Sequence, residues 1–469
     1  MIGAPAVAAA RSTVYSVAVT ATTRIDLPTS AALGAAVAVV TCLRNHGFSA
    51  YFVGGCVRDA LLGLTPKDYD IATSARPRQV CALFADVVQV GISFGVVRVR
   101  HHSDSGEVVE IEVATFRADG HYSDGRRPDS VRFADAQHDV LRRDFTINGL
   151  LLDPCGPAAG EIHDWVGGLA DLRDRQLRAI GDPQKRFGED ALRLLRAPRF
   201  AARFGLQVQD DTAAAIRRLA PTLAQVSVER ITAELTAMVI APTAAAALDL
   251  LLDLNLCTQL WPQLLAADPQ LSAAKLRLAA ARSELERPIV GSHWPVSTAM
   301  TLPLVLALLA GDLHNWPDSA EFTRSWRLSR QDLAAVRNLI ALVATCPLEP
   351  KPLEPVLLEL VPPVPPWPAP VGRWLRQQLA DAALVALISR PDGDRFLKWR
   401  QTRADWPQDQ AFPDLGFDGL TLQRWGYAPG PAFARALQAA EDVCLAGGST
   451  AQAEAAARSL LLAAVARAS

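Results

Sequence analysis

The chain has 469 residues, 47 Lys and Arg against 49 Asp and Glu, a 50% apolar composition and 20% charge. That balance excludes a disordered chain and a small disulfide-stapled scaffold, and at about 100–200 residues per domain it provides for two to four folding units. A net charge of −2 neither demands nor forbids nucleic acid, because a nucleic-acid binder needs a basic face rather than a basic total.

The seven cysteines (Cys42, Cys56, Cys81, Cys155, Cys257, Cys346, Cys444) are odd in number and contain no CxxC pair. They fit neither a disulfide framework nor a zinc site and point to a reducing, cytoplasmic compartment. No run approaches the roughly 18 apolar residues of a membrane span. Residues 1–26 are small, hydroxyl-rich and poor in acids; they read as a disordered extension or an upstream start, with a targeting segment as the alternative.

In chain order, apolar residues over 33–43 follow a helical period that Gly47 closes. A strand at 50–53 runs into Gly54-Gly55, a short helix is predicted over 57–62, and strands over 69–72, 87–90, 96–100 and 108–114. This α/β part ends near Leu152. Beyond it strand signals nearly vanish, and 186–204, 212–219, 228–240 and 244–254 carry helical periodicity. A Pro-rich stretch at 347–370 reads as a loop or polyproline connector between helical parts.

The densest chemical signal is GGCVRD at 54–59 followed by KDYD at 67–70. Two glycines between strand and helix let backbone amides approach a phosphate, and Arg58 adds a charge; a plain tight turn is the competing reading. Asp68 and Asp70 alternate with Tyr69, so a strand there projects both carboxylates from one face. They are either ligands of a hard cation such as Mg²⁺ or ordinary solvent-facing acids. Glu110 and Glu112 alternate in the same way, and a third carboxylate beside the aspartates suits two-metal phosphoryl or nucleotidyl transfer.

Further along, Arg142-Arg143-Asp144 is a charge cluster, and Glu189 and Arg193 stand four apart on a predicted helix, the spacing of a surface ion pair. Arg196, Arg199 and Arg203 continue that helix as a basic stripe, facing nucleotide or RNA phosphates or pairing with acids such as Asp182 and Glu189. Pro198 should kink it. His101, His102 and His121 lack partners at metal spacing and read as surface loop. Trp261, Trp294, Trp316 and Trp367 read as helical core rather than base-stacking platforms.

Six motifs in order, GGCVRD, KDYDIATSARP, EIEVATFR, YSDGRRPDSV, LRRDFTINGL and GEDALRLLRAPRFAARFG, resemble the class II tRNA nucleotidyltransferases and bacterial poly(A) polymerases. Weaker similarity continues through SVERITAEL and GFDGLTLQRWGYAPGPAF. The resemblance implies an α+β chain: a polymerase-β-like head with a mixed sheet, then an all-α neck, body and tail. The corresponding divisions are 1–26 (extension), 27–152 (head), 153–225 (neck), 226–346 (body), 347–370 (connector) and 371–469 (tail).

It further implies Mg²⁺ at Asp68, Asp70 and Glu112, with Glu112 rather than Glu110 as the third acid. The triphosphate would lie at Gly54, Gly55 and Arg58, and the ribose at Arg142, Arg143 and Asp144. Asp190 and Arg193 would read the Watson–Crick edge of CTP or ATP, with Arg196 and Arg199 beside them. The implied reaction adds CMP and AMP to the 3′ end of tRNA and releases pyrophosphate. Poly(A) polymerases carry a basic GRRF-like segment where this chain has Gly91-Ile92-Ser93-Phe94-Gly95, and CC-adding relatives lack a flexible loop that 118–130 supplies here. An enzyme adding only the terminal A is the runner-up, and a silent RNA-binding protein is the alternative from another class. Residues 308–312 lie where some relatives carry a His-Asp hydrolase motif and lack that pair.

Overall fold

The computed structural model describes residues 29–89, 95–102, 108–120, 131–286, 300–310, 316–345, 415–445 and 448–466, with 25, 27 and 313 besides. It divides into two compact units. One holds the described residues through Met238 together with Ala246–Leu260; the other holds Val239–Ala245 and those from Trp261 onward. Among the described residues no helix is long and apolar enough to cross a membrane.

The first unit opens with helix α1, Ala31–Asn45. The Ser30 hydroxyl caps it by accepting from the Leu33 amide at 3.0 Å, satisfying one donor that the helix cannot. Ala35, Ala36, Val39, Val40 and Leu43 form its buried stripe. There follow β1 (Ala50–Val53), α2 (Gly55–Leu61), β2 (Ile71–Thr73), α3 (Pro77–Leu83), β3 (Val87–Val88), β4 (Val96–His102) and β5 (Val108–Thr115). A small antiparallel pair, β6 (Arg117–Asp119) and β7 (Val131–Phe133), precedes α4 (Ala136–Leu141), β8 (Leu150–Leu152) and β9 (Ile162–Asp164).

Among the described residues the main sheet has seven strands in the order β3-β4-β5-β2-β1-β8-β9. β2 and β5 run parallel and the other neighbours antiparallel, which makes the sheet mixed. Its last strand comes from Ile162–Asp164, so the α/β part extends past Leu152; three residues are too short for alternation to reveal. His101 and His102 also depart from expectation. They end β4 instead of lying on a loop, paired across to Val109 and Val108.

The chain continues with α5 (Gly168–Arg173), β10 (Gln176–Leu177), α6 (Pro183–Glu189), α7 (Arg193–Phe204), β11 (Gln207–Val208), α8 (Asp210–Leu219), α9 (Val228–Val239), α10 (Ala244–Asp253) and α11 (Cys257–Leu260). The single helix expected over 186–204 is therefore two. Asp190 adopts an extended backbone, φ −150° and ψ 104°, where α6 stops. α7 passes through Pro198 to Phe204, where Gly205 at φ +62° ends it.

The second unit is helical: α12 (Pro262–Ala267), α13 (Ser272–Glu286), α14 (Leu302–Ala310), α15 (Ala320–Ser325), α16 (Arg330–Thr345), α17 (Gly419–Arg424), α18 (Pro431–Leu445) and α19 (Thr450–Ala466). Trp261 and Trp316 fill its interior, as expected; Trp261 stacks on Trp326 at 6.0 Å. Glu321 is buried because its carboxylate accepts from the Trp316 indole (2.7 Å) and the Gln263 amide (2.6 Å). Near the C-terminus Leu422, Ala436, Ala440, Ala453, Ala457 and Leu461 form a separate apolar cluster. Trp294, Trp367, His121, Cys346, residues 91–94, 121–130 and 311–312, nearly all of 1–26, and the connector at 347–370 lie outside the described residues.

Candidate nucleotide-binding site

The site grows from the turn between β1 and α2. Gly54 sits at φ +74°, a region open to glycine, and a Cβ there would stand 3.3 Å from Nη1 of Arg143. Its amide already donates to the Leu150 carbonyl at 3.2 Å, so a phosphate at this turn would have to use amides from Gly55 onward. Arg58, one turn into α2, is only 4% exposed. Its Nε donates to Asp59 at 2.8 Å and its Nη1 to the Asn148 side chain at 2.6 Å. Phe204 covers the guanidinium at 4.3 Å. Burial holds the Arg58 pKa below its ordinary value, with Asp59 opposing.

Asp68 and Asp70 are not on a strand: β2 starts at Ile71, and both acids lie in the preceding loop. The alternation was real but one pairing too early, because Ile71 is the first residue to pair with both Phe52 and Val113. The parallel register Ile71↔Val113 brings the preceding residues, Asp70 and Glu112, to neighbouring positions. Glu110, two residues back on β5, is taken by Arg98 (3.1 Å) and Arg100 (3.0 Å) across the β4 pairing.

Asp70 and Glu112 line a cavity of about 220 Å³ with Thr115, Arg117, Arg142 and Arg143; Asp68 lies off that lining. Asp70 opens onto the cavity, yet enclosing protein and then the Glu112 and Asp68 charges push its pKa up to about 6, with Arg143 opposing. Among the described residues no three His, Cys, Asp or Glu side chains already form a metal-ion cluster. The donor chemistry nonetheless fits a hard divalent cation: the Glu112 and Asp68 charges repel the Asp70 carboxylate, a repulsion that a cation relieves.

The Arg142-Arg143-Asp144 segment leaves α4 and is not a solvated cluster. One carboxylate, Asp139, takes Arg142 at 2.7 Å and Arg143 at 2.9 Å. Asp144 is 8% exposed and accepts from Arg196 Nε (2.8 Å), the Asn148 amide (2.9 Å) and the Phe145 backbone (2.8 Å). Burial would raise its pKa, but the Arg196 charge and these donors hold the carboxyl far below the usual range.

The break between α6 and α7 frees Asp190 and Arg193 from a common helix while Glu189 still reaches Arg193 at 2.6 Å. Arg193 also donates to the Arg186 (2.7 Å) and Arg142 (3.2 Å) carbonyls. Asp190 accepts from the Leu192 amide at 3.0 Å and from both terminal nitrogens of Arg230 on α9, at 3.1 and 2.7 Å. The basic stripe is paired, though not with Asp182 or Glu189. Arg196 meets Asp144 and Glu234, Arg199 meets Glu234 at 2.6 Å, and Arg203 meets Asp59 at 3.5 Å. Arg230 and Glu234 were not singled out in the sequence; they stand four apart in SVERITAEL, a spacing that puts them on one helix face without naming their partners.

A second cavity, of about 490 Å³, gathers most of these groups. Gly54, Gly55, Arg58, Asp70, Arg142, Arg143, Asp144, Asp190, Arg193, Arg196 and Arg199 all line it, with Asn148, Arg203 and Arg230 added to the expected set. Of the expected site residues, Asp68 and Glu112 lie off this wall, and Glu112 lines the smaller cavity.

Residues 50–178 match the poly A polymerase head domain, and residues 205–268 match the probable RNA and SrmB-binding site of polymerase A. The chain is 44% identical over 223 residues to the CCA-adding enzyme of Oceanobacillus iheyensis, covering 47% of this chain and 54% of that protein. It is 39% identical over 313 residues to the CCA-adding enzyme of Geobacillus stearothermophilus, covering 66% of this chain and 70% of that protein. The solved structure of the Bacillus stearothermophilus CCA-adding enzyme in complex with CTP superposes with a TM-score of 0.61 at 30% identity, over 89% of this chain and 94% of that one. With its mixed-sheet head, its cavity of paired acids and arginines and these relatives, the chain belongs to the tRNA nucleotidyltransferase family of the CCA-adding enzymes and poly(A) polymerases.

Proposed function

We propose that the protein adds CMP and AMP, from CTP and ATP, to the 3′ end of tRNA without a template and releases pyrophosphate. The observation that supports this reading is one cavity of about 490 Å³ lined by Asp70, the Arg142-Arg143-Asp144 segment and the Asp190/Arg193 pair, a set with acid, phosphate-compatible and base-compatible chemistry. Asp190 offers a carboxylate to an exocyclic amine and Arg193 offers donors to ring acceptors, a pattern shared by cytosine and adenine edges in different registers. Arg142, Arg143 and Asp144 meet the sugar and phosphates, Gly54 and Gly55 leave room for the triphosphate, and Arg58 supplies a buried charge beneath them. Arg196 and Arg199 hold the acids behind the base pocket.

Asp68, Asp70 and Glu112 would hold Mg²⁺, which supplies charge neutralisation at the triphosphate and activation of the attacking hydroxyl. One of these acids takes the proton from the primer 3′ hydroxyl. The head runs from 27 through β9 at Asp164, the neck follows to 225 and the body spans 226–346, and tRNA is gripped by shape and backbone. A cytoplasmic location belongs to the same reading, supported by the odd set of cysteines.

The test is primer extension on three tRNA transcripts, ending at the discriminator base, at C and at CC, each with CTP, ATP or both. Full CCA on all three, stopping there, is expected. Extension of the CC-ended transcript alone, by ATP, would convert the reading to an A-adding enzyme. Incorporation unaffected by Asp68→Ala and Asp70→Ala would remove the catalytic assignment.

A further inference from the structure

Asp139 on α4 is 1% exposed and lines neither cavity. A carboxylate so buried persists only where donors and positive charge satisfy it. One of its oxygens accepts from Nε and Nη2 of Arg142, at 3.0 and 2.7 Å, and from the Arg117 backbone amide at 3.3 Å. The other accepts from Nη2 of Arg143 at 2.9 Å. A single anchor thus serves two consecutive guanidinium groups, and both line both cavities.

The anchoring is selective in what it leaves over. Arg143 Nη1 lies against Gly54, 3.3 Å from where a Cβ would be, and its Nε has no hydrogen-bond partner among the described residues. Arg143 and Asp70 line both cavities together. Released from Asp139, it would be drawn toward the Asp70 and Glu112 carboxylates and would cancel charge that the reaction needs. The same segment seats the base-reading side, because the Arg142 carbonyl accepts from Arg186 at 3.0 Å and from Arg193 at 3.2 Å.

We propose that Asp139 is a positioning residue for the incoming nucleotide: it fixes Arg142 and Arg143 on the cavity wall and keeps Arg143 off Asp70. The proposal rests on the nucleotidyltransferase reading given above. Asparagine at this position offers one acceptor where two guanidinium groups need two, and it turns an amide N–H₂ toward one of them. The loss should therefore be felt in nucleotide binding.

The experiment is a double-mutant cycle in the full-length chain with Asp139→Asn and Arg143→Ala, reading kcat and KM for CTP and for a tRNA transcript lacking CCA. Asp139→Asn should lower kcat/KM for CTP by about tenfold or more, chiefly through KM for CTP, with KM for tRNA unchanged. Adding Arg143→Ala to it should cost less than about threefold further. Multiplicative losses, wild-type kcat/KM in Asp139→Asn, or a fall in kcat alone from a smaller active fraction would each overturn the proposal. Should Asp139→Asn not fold, Asp139→Glu takes its place in the cycle with the same expected non-additivity, since it keeps the charge but moves it by a methylene. A wild-type chain that extends no tRNA would instead overturn the parent reading.

Discussion

Asp70 shows most directly how a side chain at this site is set against its own stability. Its raised pKa, near 6, means that the folded chain keeps a proton there at pH values where the unfolded chain, titrating near about 4, has lost it. Stability contributed by this group therefore falls as pH rises from about 4 to about 6 and stays low above. Asp70→Asn should melt higher than wild type at pH 8 in metal-free buffer, with the difference gone below about pH 4, while nucleotide incorporation falls by about 10³-fold or more. Scanning calorimetry at the two pH values and an incorporation assay check both halves. Asp190 and Arg230 belong to the same scale. Asp190→Ala should blur rejection of UTP and GTP by about 10²-fold, and Arg230→Ala, which leaves the carboxylate present but unheld, by about tenfold; misincorporation ratios on a CC-ended transcript measure this.

Elements position these residues through a few backbone constraints. Gly54 needs both its positive φ and the space beside Arg143, so Gly54→Ala is expected to strain the β1–α2 turn and lower kcat/KM for the nucleotide by about tenfold or more, with a smaller loss in melting temperature. Gly168 is a purely structural counterpart. A Cβ there would stand 2.3 Å from the Thr146 carbonyl, so Gly168→Ala should destabilise the fold by about 2 kcal/mol or more in urea titration. Helix and strand periodicity made α1, β1, α2, β4 and β5 readable, each within a few residues. It missed the break at Asp190, because Phe187, Leu194 and Leu195 keep a helical spacing across it, while the Asp190 carboxylate at the stop accepts from the Leu192 amide and from Arg230, contacts that no spacing shows.

At the scale of the whole molecule, all the residues lining the larger cavity fall in the first unit. A fragment ending at Leu260 should therefore keep CTP and ATP binding within about threefold by calorimetry, while KM for tRNA rises by about tenfold or more, because RNA is gripped over a larger surface than the nucleotide. The second unit has an interior of its own, built on Trp261, Trp316, Trp326 and the buried Glu321.

The residue types of the candidate site were legible in the chain because chemistry constrains them locally: glycines at a turn, alternating acids, a charged triplet, an acid and an arginine near a helix start. Family resemblance favours Glu112 over Glu110, and the sheet sets the two acids apart, since the β4 arginines engage Glu110 while parallel pairing with β2 brings Glu112 beside Asp70. What no local pattern carries is which charges meet over long sequence separations. Arg196 pairs with Asp144, Arg230 with Asp190 and Arg203 with Asp59, at separations from 40 to 144 residues. Those pairings are fixed where strands, helices and a few buried carboxylates bring distant segments together, because a charge can be taken out of water there only beside its opposite.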